Sequence, residues 1–192
     1  MSFVRNPKYD SVVFDYQKAT EQAIEHLISL GHTKIGFIGG LHQVADDVIV
    51  KDSRQKAFES ILKEKALFRE DYIYVSSQFL VGNGYECMKD LLEVEDRPTA
   101  LFVASDAMAI GAIRAAHEAQ LRVPDDISIV SFNDVEMAAF TQPSLTTVKV
   151  YTEEMGRAAV KLVLDQLGGR SIPIKVVLPT NLVIRESAKR YK

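Results

Sequence analysis

The residues in this sequence that could bind a ligand stand directly after its predicted strands. These short polar or aromatic stretches are Asp15, Gly39-Gly40, Gln78-Phe79, Ser105-Asp106 and Asn133-Asp134. Arg54 opens a predicted helix after the glycine pair, and we expect it at the same edge. Carboxylates, amides and guanidinium groups bind vicinal hydroxyls in pairs, and an aromatic ring covers the apolar face of a sugar. The set therefore predicts a site for a small polyhydroxyl ligand.

The same stretches contain little that catalysis requires. The four histidines are spread over predicted helices and loops: His26, His32, His42 and His117. None has a carboxylate and a nucleophile at the same strand edge. No Cys/His spacing is typical of a metal site, and no GxGxxG or GKS/T motif accompanies Gly39-Gly40. We therefore predict a binding protein without enzymatic activity, metal or cofactor.

The elements that position these residues alternate between strand and helix. Residues 100–104 form an apolar run without alternation, which is typical of a strand covered on both faces. A helix follows from residue 107, and residues 127–132 form a second buried strand. Further strands are predicted over 11–15, 34–38 and 72–75, with helices over 18–30, 52–65 and 82–92 and an irregular segment over 41–50. This order predicts an α/β fold with a doubly wound parallel sheet, whose carboxyl edge binds ligands.

Two of the polar stretches also have a plain structural interpretation. Ser105 and Asp106 stand at the start of a helix, where their oxygens could simply cap its first turn. Asn133 could be a cap as well, but no strong helix follows it directly. Ligand binding and capping both remain open for these residues.

The later chain departs from the simple alternation. Residues 145–148 are extended, and a helix over 153–167 is expected to bury Met155, Ala159, Leu162 and Val163. Two late strands, over 174–178 and 181–184, flank Pro179-Thr180. Strands after such a long helix indicate a chain that leaves the first sheet and returns to it.

Composition limits the classes of function. The 192 residues are 47% hydrophobic, enough for a packed core, and carry a formal net charge of −3. No Lys/Arg cluster resembles a nucleic-acid-binding surface. A single cysteine, Cys87, fits a reducing compartment, and neither a signal peptide nor an apolar run of about 20 residues is present. We expect a cytoplasmic protein without a membrane span.

Several motifs resemble one known family. FVASDAMAIGAIRAAHEAQLRVPDDISIVSFND at 102–134, PSLTTV at 143–148 and LPTNLVIRES at 178–187 are similar to the LacI/GalR family of bacterial transcription repressors. EHLISLGHTKIGFIGG at 25–40 matches as well, and the resemblance spans residues 12–187. It implies a periplasmic-binding-protein-like (type I) effector domain, in which two α/β lobes enclose a small ligand, usually a sugar.

The resemblance also implies roles for individual residues. Arg54 falls at the family's effector-binding arginine, and Phe79 falls at the aromatic residue that stacks on the ligand. Ser105 and Asn133 fall at polar contacts on the fourth and fifth strand tips, and Asp15 lies near the first crossover. The family usually has an aspartate where Asn133 stands, so a neutral sugar such as a galactoside is expected.

The family pattern further predicts how the chain is divided. Residues 1–16 are expected to be a remnant of the N-terminal lobe with the first crossover, and 17–147 the nearly complete C-terminal lobe. Residues 148–172 would carry a helix of the truncated N-terminal lobe, and 173–192 would return to the C-terminal lobe. Operator DNA would bind through a helix-turn-helix domain absent from this chain, which we expect to be a shortened or proteolysed form of a longer protein.

An apolar surface predicts a homodimer. Met108 and Ile110 lie on the helix after Asp106, away from the side that packs on the sheet, and should adjoin the apolar turn from Met137 to Phe140. Long loops could cover this surface, but the family dimerises through these segments. We therefore interpret the chain as a dimerising, effector-sensing domain of a repressor. A sugar-binding protein of a transport system is the alternative, and an α/β enzyme is a more remote one.

Overall fold

The computed structural model describes residues 8–45 and 48–191. In chain order its elements are β1 (Ser11–Phe14), α1 (Tyr16–Ser29), β2 (Ile35–Gly40), β3 (His42–Ala45), β4 (Val48–Val50), α2 (Ser53–Glu64), β5 (Ile73–Ser76), α3 (Val81–Leu92), β6 (Ala100–Val103), α4 (Asp106–Glu118), β7 (Ser128–Asn133), β8 (Thr146–Val150), α5 (Thr152–Leu167), β9 (Lys175–Leu178) and β10 (Thr180–Val183). Short 3-10 helices lie at Glu70–Tyr72 and Glu136–Ala139.

Six strands form one large sheet in the order β10-β8-β7-β6-β2-β5. All neighbours run parallel except β10, which pairs antiparallel with β8. Helices α1 and α2 pack on one face, and α3 and α4 pack on the other. Consecutive residues of β2 therefore enter opposite cores, with Phe37 on the α1/α2 side and Ile38 on the α3/α4 side. The predicted doubly wound α/β fold is confirmed.

Two smaller pairs of strands lie apart from the large sheet. β1 pairs in parallel with β9 and not with the large sheet. Asp15, which follows β1, therefore does not lie at the sheet edge where the position of the strand ends had predicted it. β3 and β4 pair antiparallel, so the segment over 41–50 that we expected to be irregular contains a hairpin. Residues 46–47, within that segment, lie outside the described residues.

Helix α5 is far more exposed than its sequence predicted. Of the four residues expected to point inward, Leu162 is buried, whereas Val163 is 56% exposed. The reason is the position of α5, which packs mainly beside β1 of the two-stranded β1–β9 pair, while Met155 reaches the core on the α1/α2 face of the large sheet. Leu164 and Leu167 extend this exposed apolar face.

The strand pairing can be compared with the predicted division of the chain into lobes, which stays a prediction. β8 remains in the large sheet as far as Val150, beyond the expected boundary at 147. β9 belongs to the small pair as far as Leu178, beyond the expected boundary at 172. The predicted first segment, 1–16, lies partly outside the described residues, because these begin at 8.

None of the helices in the described part of the chain combines the length and the apolar character that a bilayer crossing requires.

Candidate functional site

The carboxyl ends of the five parallel strands of the large sheet lie at one edge, and four of them concern the candidate site. β2 ends at Gly40, β5 at Ser76, β6 at Val103 and β7 at Asn133. A Cβ atom on Gly40 would lie 2.9 Å from the carbonyl oxygen of Gln78. The absence of a side chain at Gly40 therefore lets the segment after β5 lie directly against the end of β2.

Arg54, in the first turn of α2, is buried at this edge. Its Nε donates to Asp52 Oδ1 and its Nη2 to Asp52 Oδ2, each at 2.8 Å. Its Nη1 donates to the carbonyl oxygen of Ala104, directly after β6. A guanidinium group has five N–H bonds. The hydrogen bonds to these described residues use three, which leaves two for another partner.

Aromatic rings enclose the guanidinium group. Its central carbon lies 4.8 Å from the centre of the Phe79 ring and 5.4 Å from that of Phe132. Tyr16 stacks on Phe132, with ring centres 6.3 Å apart and planes inclined by 12°. A cation over aromatic faces is attracted by their electron density, so these rings help to hold Arg54 in place.

His42, at the start of β3, completes the contacts of Asp52. Its Nε2 lies 2.6 Å from Asp52 Oδ2, and its ring centre lies 4.8 Å from that of Phe79. Burial of Asp52 disfavours its charged form, but the hydrogen bonds and charge of Arg54, with the charge of His42, outweigh burial and hold the pKa of Asp52 below its usual value. Asp52 is therefore ionised and can only accept hydrogen bonds, so His42 Nε2 carries the proton between them.

Asn133 ends β7 in an unusual backbone conformation. Its φ is +117°, and the φ of Asp134 is +57°, a region that residues other than glycine rarely adopt. Asp134 is held by Arg185 Nη2 at 2.7 Å and by Lys149 Nζ at 3.3 Å. Such strained turns persist where surrounding contacts fix them, and they cluster at ligand-binding sites.

Asp106 is engaged entirely within the protein. Its Oδ1 accepts from the hydroxyls of Ser131 and Thr147, and its Oδ2 accepts from the backbone N–H of Val135 at 2.8 Å. The side chain is fully buried, and burial raises the pKa of Asp106 despite these hydrogen bonds. Asp106 thus joins the start of α4 to β7 and β8. These hydrogen bonds fit its structural role as part of a helix start, and its contact with a ligand stays a prediction.

Ser105 and Asp15 act as helix caps. Ser105 Oγ accepts from the backbone N–H of Met108 at 3.3 Å and is nearly buried. Asp15 is exposed and accepts from the N–H groups of Gln17 and Lys18 at 3.0 and 3.2 Å. Asp15 and Thr180 line a separate cavity. The next residue, Tyr16, belongs to the aromatic cluster around Arg54 because its ring stacks on Phe132.

The predicted dimer residues fall into two groups. Met137 and Phe140 are 60% and 75% exposed, and Ile110 is half-buried. Met108 is fully buried, so our expectation that it projects to the surface is wrong. The reason is the close approach of α3 to α4, since a Cβ on Gly84 would lie 2.1 Å from the Met108 carbonyl oxygen. Helix α3 therefore covers the second apolar side of α4.

Sequence reasoning missed three residues around Arg54, namely His42, Asp52 and Phe132. Asp52 was seen only as part of a helix start, although its position two residues before Arg54 is a usable signal. Phe132 was assigned to the core of a strand, where it does lie, and nothing in the sequence placed its ring beside a cation. Among the described residues, no group of three or more His, Cys, Asp or Glu side chains could hold a metal ion.

Comparison with known proteins shows which proteins the chain is similar to. The family described as periplasmic binding protein-like domain matches residues 24–188. The HTH-type transcriptional repressor MelR of Bacillus subtilis (strain 168) is 43% identical over 182 residues, which are 93% of this chain and 53% of that protein. The chain thus spans about half the length of the curated relatives that it matches.

Solved structures of transcriptional regulators have the same fold as this chain. A transcriptional regulator CelR–cellobiose complex has a TM-score of 0.85 at 29% identity, covering 96% of this chain and 56% of that one. A dimeric Lac repressor with a C-terminal deletion has a TM-score of 0.85 at 28% identity, covering 96% of this chain and 66% of that one. The chain belongs to the periplasmic binding protein-like domain family, and its relatives there are LacI/GalR-type transcriptional regulators.

Proposed function

We propose that this chain is the effector-binding domain of a LacI/GalR-type transcriptional regulator, and that it binds a neutral sugar without transforming it. The observation that carries the proposal is the clamped guanidinium group of Arg54, which keeps two N–H groups beside aromatic rings at the carboxyl edge of a parallel sheet. Fixed donors next to an aromatic face suit a sugar, because hydroxyl oxygens accept hydrogen bonds while the C–H face of the ring packs on the aromatic surface.

Three residues would make the main contacts. Arg54 would donate to sugar hydroxyls, and Phe79 would pack against the apolar face of the ring. Asn133 would add an amide that both donates and accepts, at the end of the neighbouring strands. Ser105 is a weaker candidate, since its hydroxyl caps α4, and Asp15 is weaker still because it faces a separate cavity.

Two observations indicate the class of ligand, namely the uncharged side chain of Asn133 and the ligand named for one solved relative. Asn133 brings no charge to the site, which favours a neutral sugar, and a galactoside is our specific candidate. The name of the CelR–cellobiose complex supports a sugar as the class of ligand, because that protein has the same fold at 29% identity.

In the whole protein, the sugar would control binding to operator DNA. The chain would supply a C-terminal lobe, built on the large sheet as far as Val150, and the α5 part of an N-terminal lobe. A helix-turn-helix domain elsewhere in the protein would contact DNA, as the names of the HTH-type relatives suggest. Such a regulator would act in the cytoplasm.

A homodimer would form through an apolar surface that we call the α4 patch, made of Val81, Ile110, Met137 and Phe140. Gly111 packs against the backbone of Val81, so Val81 and Ile110 lie close together. Met137 and Phe140 carry large exposed apolar side chains on the segment after β7. In a two-fold dimer, the α4 patch of one protomer would pack against the α4 patch of its partner, and these side chains would be removed from water.

A sugar-binding protein of a transport system remains the second candidate, because its fold is the same and fold alone does not decide function. The matches to MelR and to a dimeric Lac repressor favour the regulator.

A thermal-shift screen of sugars and purines tests the proposal. A ligand at 100 times its dissociation constant should add about 2.7 kcal/mol to the free energy of unfolding. A neutral sugar is expected to raise the melting temperature of the unmutated chain and not that of an Arg54→Ala variant. A response to purines alone, or an equal response of both proteins to the sugar, would contradict the proposal.

A further inference from the structure

The carboxylate of Asp52 lies against Arg54 inside the proposed sugar site. Both side chains are almost completely buried, and two parallel hydrogen bonds of 2.8 Å join them. Asp52 cannot turn away easily, because its Oδ1 also accepts from the backbone N–H of Arg54 at 2.7 Å as the N-cap of α2. The positive charge of Arg54 is therefore matched by a negative charge fixed next to it.

We propose that Asp52, held by His42, is a specificity-determining positioning residue that makes the site select neutral sugars against phosphorylated or carboxylated ones. This inference rests on the proposed sugar-binding function. Arg54 alone in a buried site would attract an anion, because a guanidinium pairs readily with phosphate or carboxylate oxygens. Asp52 should repel an anionic ligand, because its own carboxylate is negatively charged. Asp52 also occupies the Nε and Nη2 donors of Arg54, with which a phosphate or carboxylate would otherwise pair.

The geometry supports a positioning role as well as an electrostatic one. Asp52 takes the Nε and Nη2 edge of Arg54, and Ala104 takes one N–H of Nη1. Only one N–H on each terminal nitrogen is left, and the plane of the group is fixed by these bonds and by the Phe79 ring. These two remaining donors, one on Nη1 and one on Nη2, can donate to two hydroxyl oxygens of a sugar.

His42 helps to orient Asp52. Its Nε2 donates to Asp52 Oδ2, the oxygen that also accepts from Arg54 Nη2. Its ring also packs near Phe79 and so borders the same site. The β3–β4 hairpin thus contributes a side chain whose hydrogen bond supports the Asp52–Arg54 pair.

The test compares affinities for neutral and charged forms of the same sugars. Galactose with galactose 6-phosphate, and cellobiose with its 6′-phosphate, are titrated calorimetrically into the unmutated chain and into Asp52→Asn. Asparagine caps helices as well as aspartate does, so α2 keeps its cap while the charge is lost. We expect the ratio of phosphate to neutral affinity to rise by about tenfold or more, since one charge is removed a few ångströms from the ligand.

The chain offers a matched control in Asp10. Asp10 and Arg170 form another two-pronged pair, with Arg170 Nη1 2.9 Å from Asp10 Oδ1, beside the β1–β9 strands. Asp10→Asn should lower stability without changing the affinity ratio. His42→Leu removes the hydrogen bond to Asp52 and should raise the ratio, and His42→Gln, which can still donate to Asp52, should raise it less.

The outcomes separate this inference from the proposed function. A neutral sugar that binds both Asp52→Asn and the unmutated chain with an unchanged affinity ratio overturns the role of Asp52 and leaves sugar binding intact. Preference of the unmutated chain for the phosphorylated sugars also overturns it. If none of these sugars binds the unmutated chain, the inference fails together with the proposed neutral-sugar site.

Discussion

The guanidinium group of Arg54 lies 4.8 Å from the centre of the Phe79 ring, although 24 intervening residues separate the two in the chain. The contact joins the first turn of α2 to the segment that follows β5. It brings a fixed hydrogen-bond donor and an aromatic face together at the carboxyl edge of the parallel strands. The predictions below on ligand affinity depend on this contact.

Phe79 should contribute an aromatic face that an aliphatic side chain cannot replace. In Phe79→Leu we expect sugar affinity to fall by roughly 0.5–1.5 kcal/mol beyond any loss of buried area. Phe79→Tyr keeps the ring and should retain most of the affinity. Calorimetric titration of both variants measures the difference, and equal affinities for Leu and Tyr would exclude packing of the sugar on this ring.

The Asp52–Arg54 pair should make the chain more sensitive to acid. Because the folded-state pKa of Asp52 lies below the usual value of 3.8 for an aspartate, folding is favoured by its charged form. This contribution is fully present above pH 3.8 and is lost as the pH falls through the folded-state pKa. Urea denaturation between pH 3 and 6 should therefore give a shallower pH dependence for Asp52→Asn than for the unmutated chain. An identical slope would show that the charge of Asp52 does not stabilise the fold.

The close packing of α3 on α4 should depend on Gly84. A Cβ there would lie 2.1 Å from the Met108 carbonyl oxygen, so Gly84→Ala must push the helices apart and cost about 1–3 kcal/mol of stability. Gly156→Ala in α5 is the matched control, since among the described residues beyond the neighbouring backbone of α5 no atom lies within 4 Å of its added Cβ. That change should stabilise the chain by about 0.5–1 kcal/mol, because alanine loses less conformational entropy than glycine when a helix forms. Chemical denaturation measures both, and a stabilised Gly84→Ala would contradict the packing.

Some of this arrangement was predictable from sequence, and the reason differs from residue to residue. Arg54 and Phe79 were identified because the family resemblance marks them and because strand ends in a parallel sheet share one edge. Asp52 and His42 were missed because their role depends on side-chain direction and on a hairpin that local propensity did not indicate.

Other errors came from helices whose neighbours the sequence does not name. Met108 was placed on the surface because the apolar residues of α4 extend beyond one face, and only the structure shows that α3 covers the second face. The amphipathic spacing of Val163 predicts burial, yet α5 packs mainly beside β1 of the small β1–β9 pair, and Val163 is 56% exposed. Asp15 resembles the other strand tips because it directly follows a predicted strand, whereas the family pattern already assigns residues 1–16 to the other lobe.

The α4 patch should determine self-association. Phe140 is 75% exposed, and Phe140→Asp would place two buried unpaired charges in a two-fold interface, a cost of several kcal/mol. We expect a folded monomer by light scattering, and the same from Ile110→Asp. Val160→Asp on the exposed face of α5 should leave the dimer intact. An unmutated chain that is monomeric at high micromolar concentration, or a dimeric Phe140→Asp variant, would refute this assignment.

The central claim is that Arg54 binds the effector, and calorimetric titration of a neutral sugar into the unmutated chain and Arg54→Ala tests it most directly. Removing the guanidinium group should cost roughly 1–3 kcal/mol of binding, because the sugar hydroxyls lose their donors. Arg114→Ala, which removes an exposed arginine of α4, serves as control and should bind normally. The account predicts a clear loss of affinity in Arg54→Ala with a retained fold, and unchanged affinity in that variant would contradict it.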